Sequence, residues 1–409
     1  MSAGKKKMKK WNIKKISDIA TVVRGGSPRP AGDQRYFDGG YIPWLTVGDL
    51  TNISDAQLYI TKTGSCLTEE GAKHSRTLSS GTIVISNSGA TLGVAKIIGV
   101  RCCANDGIAA LTNLLEGDKR YICEYINSKT EYFREVLAPG NGQPNLNTDL
   151  IGNVHIPLPP PFEQRAIAEL LSTWDAAIEK TERLIAAKEN VISSYGQRLF
   201  DPKRASKKIG WEVVILNKVL TEHSDLSTGK EEVFSVSVHK GLINQIEHLG
   251  RSFSASDTSN YNRVHFGDIV YTKSPTGNFP LGIVKQSHVS KDVIVSPLYG
   301  VFTPQTNELG VILDFYFQSP LNALNYLRPI VHKGAKNTIN VTNSTFLSGK
   351  LNLPLARDEQ KHISAFIMVA RREIDELKIL NEMYKRQKRG LMQKLLVGDW
   401  RVQTKGALS

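Results

Sequence analysis

The sequence predicts an α+β protein built as a pseudo-twofold repeat: two globular domains with twisted β-sheets, joined and separated by two long helices that form an antiparallel coiled coil. Three observations predict it. Residues 163–199 align without a gap on residues 359–395, so that Glu163-Gln164 falls on Glu359-Gln360, Ile167 on Ile363, Ile178 on Ile374 and Leu199 on Leu395. Both stretches carry apolar residues on a four-three ladder, the spacing that keeps one seam on one side of a helix. The segments between them are rich in Gly, Ser, Thr, Asn and β-branched residues, with short strand-like runs. Four segments follow: a first globular domain over 1–156, a central helix over 157–204, a second globular domain over 205–352 and a C-terminal helix over 353–409.

Taken in chain order, Trp11, Ile13, Ile16 and Ile19 match Trp211, Val213, Leu216 and Val219 at an offset of 200, so each domain opens alike. The runs Thr82-Ile83-Val84-Ile85-Ser86 and Asp268-Ile269-Val270-Tyr271-Thr272 read as strands. Prolines 157, 159, 160 and 161 are expected to stop strand structure ahead of the central helix, and Pro202 and Gly398 follow the two helix ends. The first seam is Ile167, Leu171, Trp174, Ile178, Ile185, Ile192, Tyr195 and Leu199, interrupted by Thr181 and Lys188. The second is Ile363, Ile367, Ala370, Ile374, Leu377, Tyr384, Leu391 and Leu395, interrupted by Asn381 and Lys388. A helix ~55 Å long with one seam wants a partner, and the other copy is the nearest one. The polar breaks weaken a simple zipper but help to fix register. A plain amphipathic helix lying on its own domain would give the same period.

The 409 residues carry 52 Lys and Arg against 39 Asp and Glu, a formal charge of +13. The excess is spread as +5, 0, +3 and +5 over the four segments, which suits a polyanion such as nucleic acid, although solubility alone would favour the same sign. A hydrophobic fraction of 40% excludes wholesale disorder. No run approaches the ~18 apolar residues of a membrane span, and the basic start has no apolar stretch after it, so a soluble, cytoplasmic protein is expected. The four cysteines form no CxxC pair and read as ordinary thiols.

Gly25-Gly26-Ser27-Pro28, the run Tyr36-Phe37-Asp38-Gly39-Gly40-Tyr41-Ile42-Pro43-Trp44-Leu45-Thr46-Val47-Gly48-Asp49-Leu50, Glu70-Gly71-Ala72 and Gly89-Ala90-Thr91-Leu92-Gly93 closely resemble the target-recognition domain of the specificity (S) subunit of type I restriction-modification enzymes. The second half is similar to another branch of that domain through Gly267-Asp268-Ile269-Val270, Pro280-Leu281-Gly282 and Val295-Ser296-Pro297-Leu298-Tyr299. Both helix entries, Pro159-Pro160-Pro161-Phe162-Glu163-Gln164 and Pro354-Leu355-Ala356-Arg357-Asp358-Glu359-Gln360, resemble that family's conserved regions, the second without the proline run. The resemblance implies a non-catalytic scaffold whose two recognition domains read the halves of a bipartite, asymmetric site in double-stranded DNA. It further implies two docked modification subunits that methylate adenine with S-adenosylmethionine, and restriction subunits that use ATP and Mg. The same scaffold serving another multisubunit methyltransferase, or a coiled-coil adaptor unrelated to DNA, are the alternatives.

Motifs of catalysis are weak. Pro159-Pro160-Pro161-Phe162 has proline where an amino-methyltransferase needs a side-chain acceptor. Glu359-Gln360-Lys361 could pass for a nuclease tail, but an acidic residue in a first helical turn is favoured by the helix dipole anyway. Ser227-Thr228-Gly229-Lys230 lacks the spacing of a phosphate-binding loop. The nine histidines look scattered, so no metal site is expected. Candidate DNA contacts in the first half are Arg24, Ser27 and Arg29 in a glycine-rich loop suited to phosphate, then Lys73, His74, Arg76, Ser86, Asn87 and Ser88, which offer donors and acceptors for base edges. In the second half they are Arg251, Tyr261, Asn262, Arg263, Lys273, Thr276, Asn278, Lys333, Lys336 and Asn337. Trp44, Trp174 and Trp211 are expected in cores or helix packing, and Lys5-Lys6-Lys7 and Lys9-Lys10 could brush phosphate.

Overall fold

A computed structural model describes residues 11–89, 91–137, 145–205, 208–246, 257–333 and 339–402. The chain forms two compact units, one of Met1–Leu184 with Leu377–Ser409 and one of Ile185–Glu376.

In the first unit, Asn12–Lys15 pairs antiparallel with His155–Leu158. A five-stranded sheet follows in the order Thr21–Arg24, Ile108–Thr112, Ile83–Ser86, Ala95–Ile98, Tyr59–Ile60. The second unit repeats this frame. Trp211–Ile215 pairs with Lys350–Pro354, and a four-stranded sheet runs Leu220–Glu222, Gly300–Pro304, Ile269–Thr272, Ile283–Gln286. The central strands, IVIS and IVYT, are buried along their whole length, which is why they read as unbroken β-branched runs and not as alternation. The helices Lys119–Asn127 and Asn307–Phe317 hold equivalent places, capped by the side chains of Asp118 and Thr306. Gly93 and Gly282 precede equivalent strands at φ of 88° and 104°; a Cβ there would lie 2.8 Å from Phe133 and 2.0 Å from the Thr272 carbonyl oxygen.

The outer layers differ. The first unit has a four-stranded sheet in the order Ser65–Leu67, Phe37–Leu45, Cys102–Ala104, Arg76–Leu78. The second has two-stranded ribbons, Phe234–Ser237 with Gly241–Asn244 and Asn262–Val264 with Val293–Val295.

One expectation is corrected. Pro157 does not stop strand structure: it lies inside His155–Leu158, opposite Ile13. A two-stranded sheet leaves each strand one unpaired edge, where a missing N–H costs nothing, and the Pro157 carbonyl accepts from Tyr121 Oη at 2.8 Å. Helix begins at Pro161, where fixed φ suits the first turn.

The long helices are Pro161–Leu199 and Arg357–Leu395, each contributing one half to each unit. Within each unit they pair antiparallel. In the first, Asp175 meets Lys388 at 2.7 Å and Glu182 accepts from Asn381 Nδ2 at 3.4 Å. In the second, Lys188 pairs with Glu373 at 2.7 Å and Tyr195 with Phe366 at 4.4 Å. Partner numbers fall as residue numbers rise. The seam divides into two functions. Its ends enter domain cores: Ile167 and Leu171 share one cluster with Met392, Leu395 and with Ile122 of the domain, and Ile363 and Ile367 share another with Leu199 and Leu309. In its middle, Ile178 and Ile374 are buried while Ile185, Leu377 and Tyr384 are half-buried. Helix-on-domain packing thus accounts for the ends, and helix pairing for the middle.

The repeated Glu-Gln is the joint between domain and helix. Trp11 Nε1 donates to Glu163 at 3.2 Å and Trp211 Nε1 to Glu359 at 2.6 Å. Gln164 Nε2 donates to the Pro159 carbonyl at 2.8 Å and Gln360 Nε2 to the Pro354 carbonyl at 2.9 Å. Their Oε1 atoms accept from Asp118 N and Thr306 Oγ1, both at 2.7 Å, the caps of the domain helices. A cation covers each indole: Arg401 lies 4.6 Å from the Trp11 ring and Lys208 4.3 Å from that of Trp211. The nuclease-like reading of Glu359-Gln360-Lys361 gives way to this structural role.

Candidate nucleic-acid interface

The glycine loop of the first unit turns directly off the edge strand Thr21–Arg24. Gly25 and Gly26 extend the ladder through N–H bonds to the carbonyls of Ile108 and Ala104. A Cβ at Gly25 would lie 2.0 Å from the Asn105 carbonyl oxygen, so only glycine permits this approach. The approach gathers cations around Asp106. Arg24 Nε donates to its backbone carbonyl at 2.7 Å, Ser27 Oγ to its carboxylate at 2.5 Å, and Arg29 lies 3.4 Å from the same carboxylate. The Ser27 hydrogen bond, helped by Arg29 and Arg24, holds the Asp106 carboxyl below its ordinary range. Arg76 Nε donates to the Arg24 carbonyl at 2.6 Å and Ser75 Oγ to that of Gly26 at 2.7 Å, which ties the 73–76 segment to the loop. Arg24, Arg29 and Arg76 are exposed, and among the described residues Asp106 is the carboxylate that two of them approach.

Beside this cluster opens a cleft of about 360 Å³ lined by Arg24, Val47, Ser88, Asn105, Asp106 and Asn145, among others. Asn105 Oδ1 is buried and accepts no hydrogen bond among the described residues. Guanidinium groups, a hydroxyl and carboxamides on one edge are the donor and acceptor types that bind phosphate and base edges. Sequence reasoning missed Asn105, Asp106 and Asn145; the turn-forming Asn105-Asp106-Gly107 was the available signal.

The structure brings together Arg24, Ser27, Arg29, Arg76 and Ser88. Lys73 and His74 are exposed but turn toward Glu70, at 2.9 and 3.3 Å. Ser86 and Asn87 lie inside the protein, 0% and 2% exposed. Ser86 Oγ donates to the Thr91 carbonyl at 2.6 Å and Asn87 Nδ2 to that of Asp106 at 3.3 Å, so they shape the loop and do not face a ligand. Ser86 ends a wholly buried strand, which is the physical reason for its place.

In the second unit the candidates fall on separate elements. Tyr261 is buried, Asn262 Nδ2 donates to the Tyr299 carbonyl at 2.9 Å, and Arg263 Nε donates to the Leu226 carbonyl at 3.1 Å. Lys273, Thr276 and Asn278 lie on the connection between Ile269–Thr272 and Ile283–Gln286. There Thr276 and Asn278 are exposed, and burial lowers the Lys273 pKa. Lys333 belongs to a short strand paired with Ile339–Asn340. Arg251, Lys336 and Asn337, like the N-terminal lysines, lie outside the described residues. The turn at Ser227-Thr228 already holds a carboxylate: Thr228 Oγ1 donates to Glu231 at 2.6 Å, the main cause that pushes Glu231 down to about 2. The histidines are not all scattered, since His223 and His265 converge with Asp225. Among the described residues no helix is long and apolar enough to cross a membrane.

A basic recognition-type domain followed by a long helix, used twice, defines a class of duplicated specificity proteins, and the comparisons agree. The model of the type I restriction modification DNA specificity domain matches residues 8–189. The MjaIX specificity subunit of Methanocaldococcus jannaschii is 27% identical over 275 residues, 62% of this chain and 61% of that protein. The chain therefore spans about three fifths of that relative. The MjaVIII specificity subunit of the same organism is 24% identical over 432 aligned positions, 96% of this chain and 93% of that one. The fold is like that of the type I restriction-modification S subunit from M. genitalium, with a TM-score of 0.60 at 14% identity over 97% and 98% of the two chains. Residues 8–189 thus match the DNA specificity domain of type I restriction-modification systems, and the chain is similar over most of its length to specificity subunits of that kind.

Proposed function

We propose that this chain reads a bipartite, asymmetric site in double-stranded DNA and seats two adenine-modification subunits, with no chemistry of its own. Each unit reads one half-site and the paired helices act as the ruler between them. The observation that carries the reading is the frame used twice, with the same sheet order and the same Trp-Glu-Gln joint under outer layers that differ. A constant frame with variable loops is what two readers of different sequences require. Exposed apolar side chains at equivalent places on the long helices, Leu170 at 38% and Phe366 at 42%, support two equivalent seats for one partner. S-adenosylmethionine would then be bound by the modification subunits, and ATP and Mg by restriction subunits where those join.

The experiment is methylation-site mapping with the modification subunits present. Exchanging residues 11–156 for those of a relative should change one half-site only. Inserting four residues into the first long helix, about one turn and ~5–6 Å, should lengthen the tolerated gap and leave both half-sites readable. A helix insertion that rewrites bases, or a domain exchange that changes only the gap, would overturn the assignment. Replacing Arg24, Arg29 and Arg76 by Ala should weaken salt-sensitive DNA binding, with the salt slope reduced by about 1 for each phosphate left without its arginine.

A further inference from the structure

We propose that His223, Asp225 and His265 form a binding site for one borderline divalent metal ion, with zinc as its natural size and softness, in the second unit. The three residues come from two segments that the sheet brings together. His223 and Asp225 follow the edge strand Leu220–Glu222, and His265 sits in the turn before Ile269–Thr272. One ligand atom from each lies within 4.8 Å of the others. Asp225 Oδ2 is 3.0 Å from His265 Nε2 and 4.0 Å from His223 Nδ1. In a tetrahedral zinc site with bonds near 2.0–2.1 Å, ligand atoms stand about 3.3 Å apart, so these separations bracket the requirement.

The outer partners single this cluster out from an ordinary group of surface charges. Each imidazole has its other nitrogen on a carboxylate: His223 Nε2 on Asp268 at 2.9 Å and His265 Nδ1 on Asp292 at 2.9 Å. A carboxylate only accepts, so both of those nitrogens carry the proton. With those positions held, the remaining nitrogens, His223 Nδ1 and His265 Nε2, are the ones that face Asp225 and can offer lone pairs to a metal. This carboxylate-histidine arrangement is the one that orients metal-binding imidazoles and makes them better donors. Asp268 is itself fixed, 2% exposed and accepting from Thr303 Oγ1 at 2.8 Å and His265 N at 2.7 Å. His223 Nδ1 is buried and has no hydrogen-bond partner among the described residues. A buried lone pair aimed at a carboxylate without a proton between them calls for a cation.

Two imidazoles and a carboxylate suit zinc and its neighbours, whereas calcium and magnesium want all-oxygen shells. Asp225 and His265 reach solvent, which leaves an open position for water. The ion would cross-link the segment after the edge strand to the turn that starts the central strand, reinforcing the tie by which the Arg263 backbone N–H of strand Asn262–Val264 donates to the Asp225 carbonyl. Without metal, hydrogen bonds to Asp225 and then Asp292 raise the His265 pKa, so a proton is the competitor for the same place.

The test uses the full chain, stripped with a chelator, dialysed and titrated with zinc chloride against a competing indicator. One zinc per chain is expected, with cobalt(II) giving the visible bands of a four- or five-coordinate site and zinc raising the melting temperature. Asp225→Asn and His265→Gln should abolish stoichiometric binding. Asp292→Asn, which alters the partner of His265 and leaves the three ligands in place, should weaken it by about 10- to 100-fold. Asp225 is exposed enough that its variant folds, checked by an unchanged apo melting temperature. Absence of stoichiometric zinc, octahedral cobalt bands only, or equal binding by wild type and Asp225→Asn would overturn the site in favour of a protonated His265 between two carboxylates.

Discussion

Between its domain helix and the long helices, each unit buries charge, and the two units do it with different arrangements of charge. In the first, Lys388 of the second long helix reaches Glu124 at 2.9 Å and Asp175 at 2.7 Å. In the second, Arg371 of the same helix reaches Asp314 at 2.7 Å. Glu124 and Asp314 sit on equivalent domain helices, and the buried Lys96 and Lys285 on equivalent strands. At the repeat offset, however, Asp175 aligns with Arg371 and Ile192 with Lys388. What the duplication keeps is a carboxylate on the domain helix facing a cation from a long helix. Which helix position supplies that cation has changed, and a second carboxylate has entered the first unit.

The energetics of the two versions differ accordingly. Burial alone would raise the Asp314 pKa, but Arg371 and Lys285 outweigh it and hold the carboxyl below its ordinary range. In the first unit one ammonium serves two carboxylates. Burial works against Lys388, yet Glu124 and Asp175 together hold its pKa up. Asp175 is the group left short: burial pushes it up to about 7 against the pull of Lys388, with Glu124 adding to the rise.

The largest expected effect comes from removing the shared cation. Lys388→Met strands two buried carboxylates and should cost about 5 kcal/mol, unfolding the first unit selectively in hydrogen exchange. Arg371→Met strands one and should cost about 3 kcal/mol in the second unit. The double variant Asp175→Arg with Lys388→Ile builds the second unit's arrangement in the first, and should recover most of the Lys388→Met loss. If Lys388→Met melts like wild type, the slot is not the shared element described here.

Next in size is the seam. Ile178 and Ile374 align in the repeat and are 2% and 7% exposed. Replacing each by Ala should cost about 2–4 kcal/mol, and by similar amounts if the two middles pack alike. Thermal unfolding of the two single variants checks this; unequal losses would mean that one middle collapses around the cavity and the other does not.

Much of this frame was legible in the sequence because it is carried by short-range periodicity or by literal repetition. The ladders placed both long helices, and Glu163-Gln164 with Glu359-Gln360 marked the joints, although their role as ties to Trp11 and Trp211 needed the structure. The charged slot was invisible for a physical reason: a compensated pair can move its charge between positions without loss, so aligned residues no longer match. Lys388 and Glu124 are also far apart in the chain, as are Asp225 and His265, and no spacing rule reports such meetings. Part of the candidate interface was legible where glycine and arginine cluster at 24–29. Ser86, Asn87 and Tyr261 misled because they are buried, with Ser86 Oγ and Asn87 Nδ2 spent on backbone carbonyls.

The finest test of the comparison, and the smallest effect per pH unit at about 1.4 kcal/mol, is the pH dependence of the first unit. Asp175 has a folded pKa near 7, as burial dictates, and an unfolded one near the ordinary value of about 3.9. A raised pKa means that the folded state binds the proton more tightly. Its contribution is therefore fully present below the unfolded pKa and is lost as pH rises through the folded one. The first unit should lose stability from about pH 4 to about pH 7, whereas Asp314, whose pKa is lowered, gives the second unit no loss in that window. Asp175→Asn keeps the shape, still accepts from Lys388, and has an N–H donor where the protonated Asp175 carboxyl has its O–H. It should leave stability below about pH 4 almost unchanged, raise it near pH 7 and flatten the slope. Melting temperature against pH for wild type and variant checks this, and a slope that survives in Asp175→Asn would move the titrating group elsewhere.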